Sequence, residues 1–312
     1  MRVLILGAGA IGGYFGARLI EAGHAVDFLV RSTRAAILTA DGLRVHSERG
    51  DFARPVNAIT SVDPQTDYDV ALVSCKAWDL DSAVASIAPG IGQRTRVVPL
   101  LNGMRHLDAL DAAFGASRVL GGLAHISVTL DDDGSIRQFG ALERLTFGAR
   151  DGTGSVPETV TTGLLQLGPM AVHSSNITLA MWEKFAFITT LAGATCLMRG
   201  SIGEIVATAE GMEIVKRLYA ECRSTADGCG HALSDAAVAE AARILSAKGS
   251  PLKASMLRDL ERGARTECEH ILGDLRLRAE SSGLDTPLLS SALAHLLVYE
   301  SARLNGPQTV AR

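Results

Sequence analysis

Six residues near the start of the chain, Gly7-Ala8-Gly9-Ala10-Ile11-Gly12, follow the apolar run Val3–Leu6 and open a stretch of helical periodicity over 10–22. Glycines at that spacing suit a dinucleotide phosphate site. Gly7 makes the tight turn, Gly9 lets backbone approach a pyrophosphate, and Gly12 permits close helix–strand packing. Amide N–H groups and the helix dipole then hold the anion. The motif has a strand before it, a helix after it and a second strand, Ala25–Val30, at the expected distance. Asp27 lies about where an acid would meet the ribose of NAD, but Phe28-Leu29-Val30 follow it, so it belongs inside the strand. The strand ends at Arg31, with Arg34 close behind. A cation there suits the 2′-phosphate of NADP(H), so NADP(H) is the expected cofactor and Arg31 its reader.

Two further groups of polar residues have revealing registers. Ser255, Asp259, Gly263 and Glu267 recur every four residues and share one stripe if the segment 252–282 is a single helix. Gly263 is costly inside a helix and suggests close approach by another group. In the segment 178–198, Lys184 is the only cation, set between Trp182 and Phe185-Ala186-Phe187-Ile188. A lysine against a buried surface and near a carboxylate can act as a general acid. On pattern alone the plainer readings are a lysine snorkelling at a helix end and a surface glutamate.

The elements that would position these residues fall into two kinds. Strands Val3–Leu6, Ala25–Val30, Val70–Ser74 and Val97–Leu101 alternate with helical segments, the rhythm of a parallel sheet with helices on both faces. A hairpin is expected near Gly42–Pro55. Antiparallel strands are expected at Ile126–Leu130, Ser135–Phe139 and Leu145–Gly148, then a helix at 157–167 and a strand at Ala171–His173. From about Asn176 only helical patterns follow: 178–198, 202–228, 235–247, 252–282 and 287–304, the last opened by Thr286-Pro287. The expectation is an α/β Rossmann-type doubly wound domain over 1–175 and an all-α domain over 176–312.

Composition removes other classes. With 312 residues, 47% of them hydrophobic, the chain has ample material for two cores. The net charge of −4 and the absence of a basic block argue against a nucleic-acid partner. Cys75, Cys196, Cys222, Cys229 and Cys268 form no CxxC pair and no metal-ligand spacing, so no metal is expected and a cytoplasmic setting fits. Met1-Arg2 and the four apolar residues after them read as the start of a strand rather than a leader, and Phe185–Met198 is too short to span a bilayer. The Leu- and Ala-rich segment 287–304 suits packing within the domain or across a homodimer.

In the order of its motifs the chain resembles the ketopantoate reductase (2-dehydropantoate 2-reductase) family over nearly its whole length. The resemblance rests on Ile5–Gly12, Phe28-Leu29-Val30-Arg31, Ser74-Cys75-Lys76-Ala77, Leu100-Leu101-Asn102-Gly103-Met104, Trp182-Glu183-Lys184, and Ser255-Met256-Leu257-Arg258-Asp259 with Arg265-Thr266-Glu267. It implies a helical domain like that of 6-phosphogluconate dehydrogenase, and NADPH-dependent reduction of ketopantoate to pantoate, a step of pantothenate biosynthesis. Lys184 would then protonate or polarise the carbonyl oxygen, with Glu267 binding substrate and supporting Lys184. Ser255 would bond the substrate carboxylate, Asn102 would position nicotinamide ribose and substrate, and Lys76 would contact the cofactor or the anionic substrate. The chain departs from the family where typical members place asparagines four and eight residues after the lysine: here stand Ile188 and Ala192, and Ala254 replaces a serine. Losing those partners points away from a polar substrate and toward a less polar 2-oxo acid, ketone or imine. A nucleotide-binding sensor without turnover is the alternative from another class; retention of both Lys184 and Glu267 speaks against it.

Overall fold

A computed structural model describes residues 1–305. The chain divides into two compact units, Met1–Leu101 with His106–Thr178, and Asn102–Arg105 with the chain from Leu179 onward.

The first unit begins β1 (Arg2–Leu6), α1 (Ala10–Glu21), β2 (Ala25–Leu29), α2 (Ser32–Asp41) and the hairpin β3 (Leu43–His46)–β4 (Phe52–Arg54). It continues β5 (Asn57–Ile59), β6 (Val70–Val73), α3 (Leu80–Ile87), β7 (Arg96–Pro99) and α4 (His106–Phe114). Then come β8 (Gly121–Leu130), β9 (Ile136–Gly148), α5 (Glu158–Leu165) and β10 (Ala171–His173). One sheet has the order β5-β2-β1-β6-β7, with every pairing parallel. The central strand is buried on both faces, which is why Val3, Leu4 and Ile5 read as an unbroken apolar run. Sequence order reverses beside β1, between its neighbours β2 and β6, and such a switch point opens a crevice at the strands' C-terminal ends.

A second, mixed sheet runs β10-β9-β3-β4, with β8 antiparallel to β9. It covers the face of α1 turned away from the first sheet. Tyr14 and Phe15 of α1 are fully buried in one core with Ile5, Phe28, Leu43, Ile136 and Phe147. The Tyr14 hydroxyl bonds the buried Glu143 carboxylate on β9, which also pairs with Arg49, so polar contacts tie α1 to this sheet too. The two strands expected at 135–139 and 145–148 are one strand. The register against β8 jumps from Phe139 to Glu143, and Gly140, at φ +73°, lets the chain loop out there without losing the pairing.

The second unit is helical: α6 (Ile177–Met198), α7 (Ile202–Ile205), α8 (Ala209–Gly228), α9 (Asp235–Leu245), α10 (Ser255–Glu261), α11 (Asp274–Ser281) and α12 (Pro287–Asn305). α6 is apolar on nearly all sides, as a central helix must be. The helix expected over 202–228 is two. The Ser201 hydroxyl accepts from the Glu204 N–H in a capping box on α7, and the Thr208 hydroxyl accepts from the Gly211 N–H to start α8. At α12 the first amides, of Leu288 and Leu289, are taken by the Glu221 carboxylate of α8.

The single helix expected over 252–282 is also interrupted, and this corrects the stripe. α10 ends in a Schellman turn: the Ala264 N–H donates to the Asp259 carbonyl at 2.8 Å and the Gly263 N–H to the Leu260 carbonyl at 3.1 Å. Gly263 has φ +71° and no atom within 4 Å of where a Cβ would stand. Its glycine serves the left-handed cap, not close approach by another group. Gly263→Ala is therefore expected to cost about 1 kcal/mol in chemical denaturation; an unchanged midpoint would contradict that origin. Helical structure resumes at Cys268, passes through a π-turn (Glu269–Gly273) and continues as α11. Glu267 thus opens a new helix, its carbonyl accepting from the Ile271 N–H at 3.0 Å, and does not share a face with Ser255.

Candidate active site

The glycine turn lies between β1 and α1. Gly7 has φ +91°, a conformation that favours glycine, and its N–H donates to the Leu29 carbonyl at 3.0 Å. A Cβ on Gly12 would run into the Gly7 carbonyl and the Ser74 hydroxyl, so the first turn of α1 can approach β1 only without a side chain there. Gly9 differs: a Cβ on it would meet nothing within 4 Å, so no protein packing demands its glycine. That space, in front of the first helical amides, is where an incoming phosphate needs bare backbone. The cradle fits a dinucleotide.

Two side chains hold the turn in shape. Ser74, just past β6, donates to the Leu6 and Gly7 carbonyls at 3.0 and 3.2 Å. Arg34 donates through Nε to the Ala8 carbonyl at 3.0 Å and through Nη1 to the Gly134 carbonyl at 2.9 Å. Burial pulls its pKa below the usual arginine value. The sequence placed Arg34 only as a second cation behind Arg31, and the local sequence carries no signal for its role as a clamp. The signal for Ser74 is a small hydroxyl residue at the end of a strand neighbouring the glycines.

Beside the cradle, Arg31 precedes α2 with its side chain 75% exposed, and its Nη2 lies 2.5 Å from Oδ1 of Asp79, which follows β6. Asp27 is inside β2, buried, and bonded by Asn57, Tyr68 and Arg2. Burial alone would raise its pKa, but those hydrogen bonds outweigh it and hold the carboxyl below the usual range. Its capacity as an acceptor is spent within the protein. The exposed Lys76 stands over the Trp78 ring, 5.4 Å from the centroid.

In the second unit, Lys184 lies in the N-terminal half of α6, partly buried, and desolvation brings its pKa down to about 8. Glu183 next to it is engaged elsewhere, accepting from the Ser234 hydroxyl at 2.6 Å at the start of α9. Phe187 and Ile188, three and four residues on, are partly exposed on the same side of the helix, so the surface beside the ammonium is apolar. Ala192 is buried. Thr189 and Thr195 are fully buried, and Thr195 donates its hydroxyl to the Leu191 carbonyl within the helix. It does not replace the missing asparagines.

Asn102 packs with the helical unit, although it follows a strand of the first sheet. Its backbone is hydrogen-bonded to the His270 ring, and a Cβ on Gly103 would stand 3.2 Å from the His270 carbonyl. Burial depresses the His270 pKa, against the opposing pull of the Glu267 and Asp274 charges. The π-turn therefore links Glu267 to Asn102 through His270, a residue the sequence reading missed because periodicity gives no sign of a π-turn. Ser255 is exposed at the first position of α10, after Ala254, which supplies no side-chain cap. Among the described residues no cluster of metal-ligating side chains occurs and no helix is long and apolar enough to cross a membrane.

The family model of ketopantoate reductase PanE/ApbA matches residues 3–152, and that of the ketopantoate reductase PanE/ApbA C terminal matches 176–300. The chain belongs to the ketopantoate reductase family. It is 34% identical to the uncharacterized oxidoreductase YkpB of Bacillus subtilis, over 97% of this chain and all of that one. A solved 2-dehydropantoate 2-reductase of Methylococcus capsulatus superposes with TM-score 0.85 at 29% identity, over the full length of both chains. D-mandelate dehydrogenase, solved with NADH and anilino(oxo)acetate, superposes at 0.87 over 97% of this chain and 99% of that one, but at 20% identity it shares the fold alone. As a member of the ketopantoate reductase family the protein is an oxidoreductase with a Rossmann-type domain and a helical domain. A pyridine nucleotide is the cofactor that its glycine cradle suits.

Proposed function

We propose that the protein is an NADPH-dependent reductase of a 2-oxo acid, of the 2-dehydropantoate 2-reductase type, with residues 1–175 binding nucleotide and 176–312 supplying the catalytic side chains. The observation that carries this reading is Lys184, a partly buried cation with pKa about 8 in the chain of a reductase family. When bound, the nucleotide supplies the hydride. The rest falls to this chain. Gly7–Gly12 hold the pyrophosphate through backbone amides, Arg31 meets the 2′-phosphate, and Lys76 contacts cofactor phosphate or the anionic substrate. Asn102 positions the nicotinamide ribose and substrate. Lys184 donates a hydrogen bond to the carbonyl oxygen and gives up its proton as negative charge develops there. A pKa near 8 leaves the ammonium mostly protonated at neutral pH yet makes its proton easier to transfer. Glu267 binds substrate and supports Lys184, and Ser255 bonds the substrate carboxylate.

A second reading concerns the substrate. The apolar surface of Phe187 and Ile188 beside Lys184 favours a 2-oxo acid with an alkyl or aryl group next to the carbonyl. Such a surface cannot hydrogen-bond the hydroxyl of ketopantoate. Loss of nicotinamide absorbance with NADPH and a panel of 2-oxo acids tests both readings. Turnover with any 2-oxo acid supports the reductase. A kcat/KM for branched-chain or aryl 2-oxo acids above that for ketopantoate supports the second reading, and the reverse order removes it. Tight NADPH binding with no turnover across the panel would overturn the 2-oxo acid reading and move the search to ketones and imines.

A further inference from the structure

The pair Arg31–Asp79 is unusual for a 2′-phosphate site because the reader already holds an anion. Its Nη2–Oδ1 distance is 2.5 Å, and the two side chains are 75% and 29% exposed. Arg31 follows β2 and Asp79 follows β6, the strands on either side of β1, so the pair sits at the sheet edge from which the glycine turn leaves. Asp79 makes no capping bond through its side chain; its backbone is what serves the turn, its N–H donating to the Lys76 carbonyl and its carbonyl accepting from the Ser82 hydroxyl. Nothing local in α3 therefore requires a carboxylate at this position. Asp27, the acid within β2, is buried and fully engaged, so it cannot serve a ribose.

We propose that Asp79 sets the nucleotide preference of this protein, restraining Arg31 from a 2′-phosphate and offering an acceptor for the ribose hydroxyls of the non-phosphorylated nucleotide. A 2′-phosphate carries nearly two negative charges, and its seat on Arg31 must displace Asp79 and then lie beside that carboxylate. A ribose with a free 2′-hydroxyl brings a donor and no charge, the partner that an acid at this edge of a Rossmann sheet accepts. One pair thus contains a reader for each nucleotide, and the carboxylate narrows the difference between them. This inference rests on the proposed use of a pyridine nucleotide and adds that NADPH preference here is moderate by construction.

Dissociation constants of NADPH and NADH, measured by nucleotide fluorescence on the full chain without substrate, test it apart from turnover. Wild type is expected to bind both, NADPH a few-fold tighter. Asp79→Asn keeps shape and removes charge; it should tighten NADPH about tenfold and weaken NADH about threefold. Arg31→Ala should weaken NADPH by about a hundredfold and leave NADH within about threefold. A merely structural Asp79 would shift both constants together, and that result, or no shift in either, overturns the inference while leaving the reductase reading intact. Failure of wild type to bind either nucleotide overturns both. A melting temperature for Asp79→Asn within a degree or two of wild type, the size of an exposed-pair effect, shows that the comparison is between folded proteins.

Discussion

Lys184→Met abolishes turnover and makes the protein more stable at neutral pH. The first half follows from chemistry. Methionine fills the same volume but has no proton to give and no charge to place beside a developing alkoxide, so kcat/KM falls by about 10³-fold or more while nucleotide affinity, set by the glycine turn, is retained. The second half follows from burial, which lowers the pKa of Lys184 from 10.5 to about 8. Below pH 8 both folded and unfolded chains carry the proton, and the folded chain bears the net cost of desolvation that the lowered pKa reports. Between pH 8 and 10.5 the unfolded chain binds more protons, so wild-type stability rises with pH across that window and the advantage of the variant shrinks. The expected gain is about 2 kcal/mol at pH 7, with the shift discounted for the water a partly exposed site keeps. Denaturant midpoints at pH 7 and pH 10 measure it; a variant less stable than wild type at pH 7, or one that still turns over, contradicts the assignment. The same ionisation predicts that wild-type reduction is constant in kcat/KM toward neutral pH and falls above about pH 8, as the ammonium loses its proton.

The glycine turn yields the second large effect, as a contrast between neighbours. Gly12→Ala places a methyl against the Gly7 carbonyl and the Ser74 hydroxyl, and the backbone partner cannot swing away. The helix must move off β1, at a cost of about 3 kcal/mol or more, and the turn that would hold phosphate goes with it. Gly9→Ala places its methyl in open space, on a backbone at φ −77° and ψ −164° that alanine adopts without strain. Its effect on stability is confined to the weaker cap, about 1 kcal/mol or less. NADPH affinity should nonetheless fall by about tenfold or more, because the methyl occupies the approach to the first helical amides. Melting temperatures with NADPH titrations separate the two variants. Gly9→Ala with wild-type affinity would remove the phosphate site from this turn; Gly12→Ala with wild-type stability would remove the packing argument.

Local rules made much of this protein legible. The strand–glycine–helix start, the alternation to Pro99 and the change to helices near 176 all follow from short-range periodicity and turn chemistry, because backbone preference is decided within a few residues. Lys184 stood out as the one cation in an apolar helix, and Arg31 as the cation ending a strand. The same periodicity misled where one residue overrides it. The four-residue spacing from Ser255 to Glu267 runs across Gly263, whose left-handed cap ends the helix, and the π-turn after Glu267 has no signature in residue type. Long-range burial and charge decided the rest. Asp79 reaches Arg31 only because β2 and β6 flank β1, and Arg34 bridges the Ala8 carbonyl and the distant turn at Gly134. Asn102 joins the helical unit through His270, and the lowered pKa of Lys184 is a property of the surroundings of α6 and not of lysine. Residue order thus determined the elements and the kinds of chemistry available, since those depend on neighbours in the chain. Which groups meet, and in which protonation state, was decided by tertiary packing, because desolvation and pairing depend on neighbours in space.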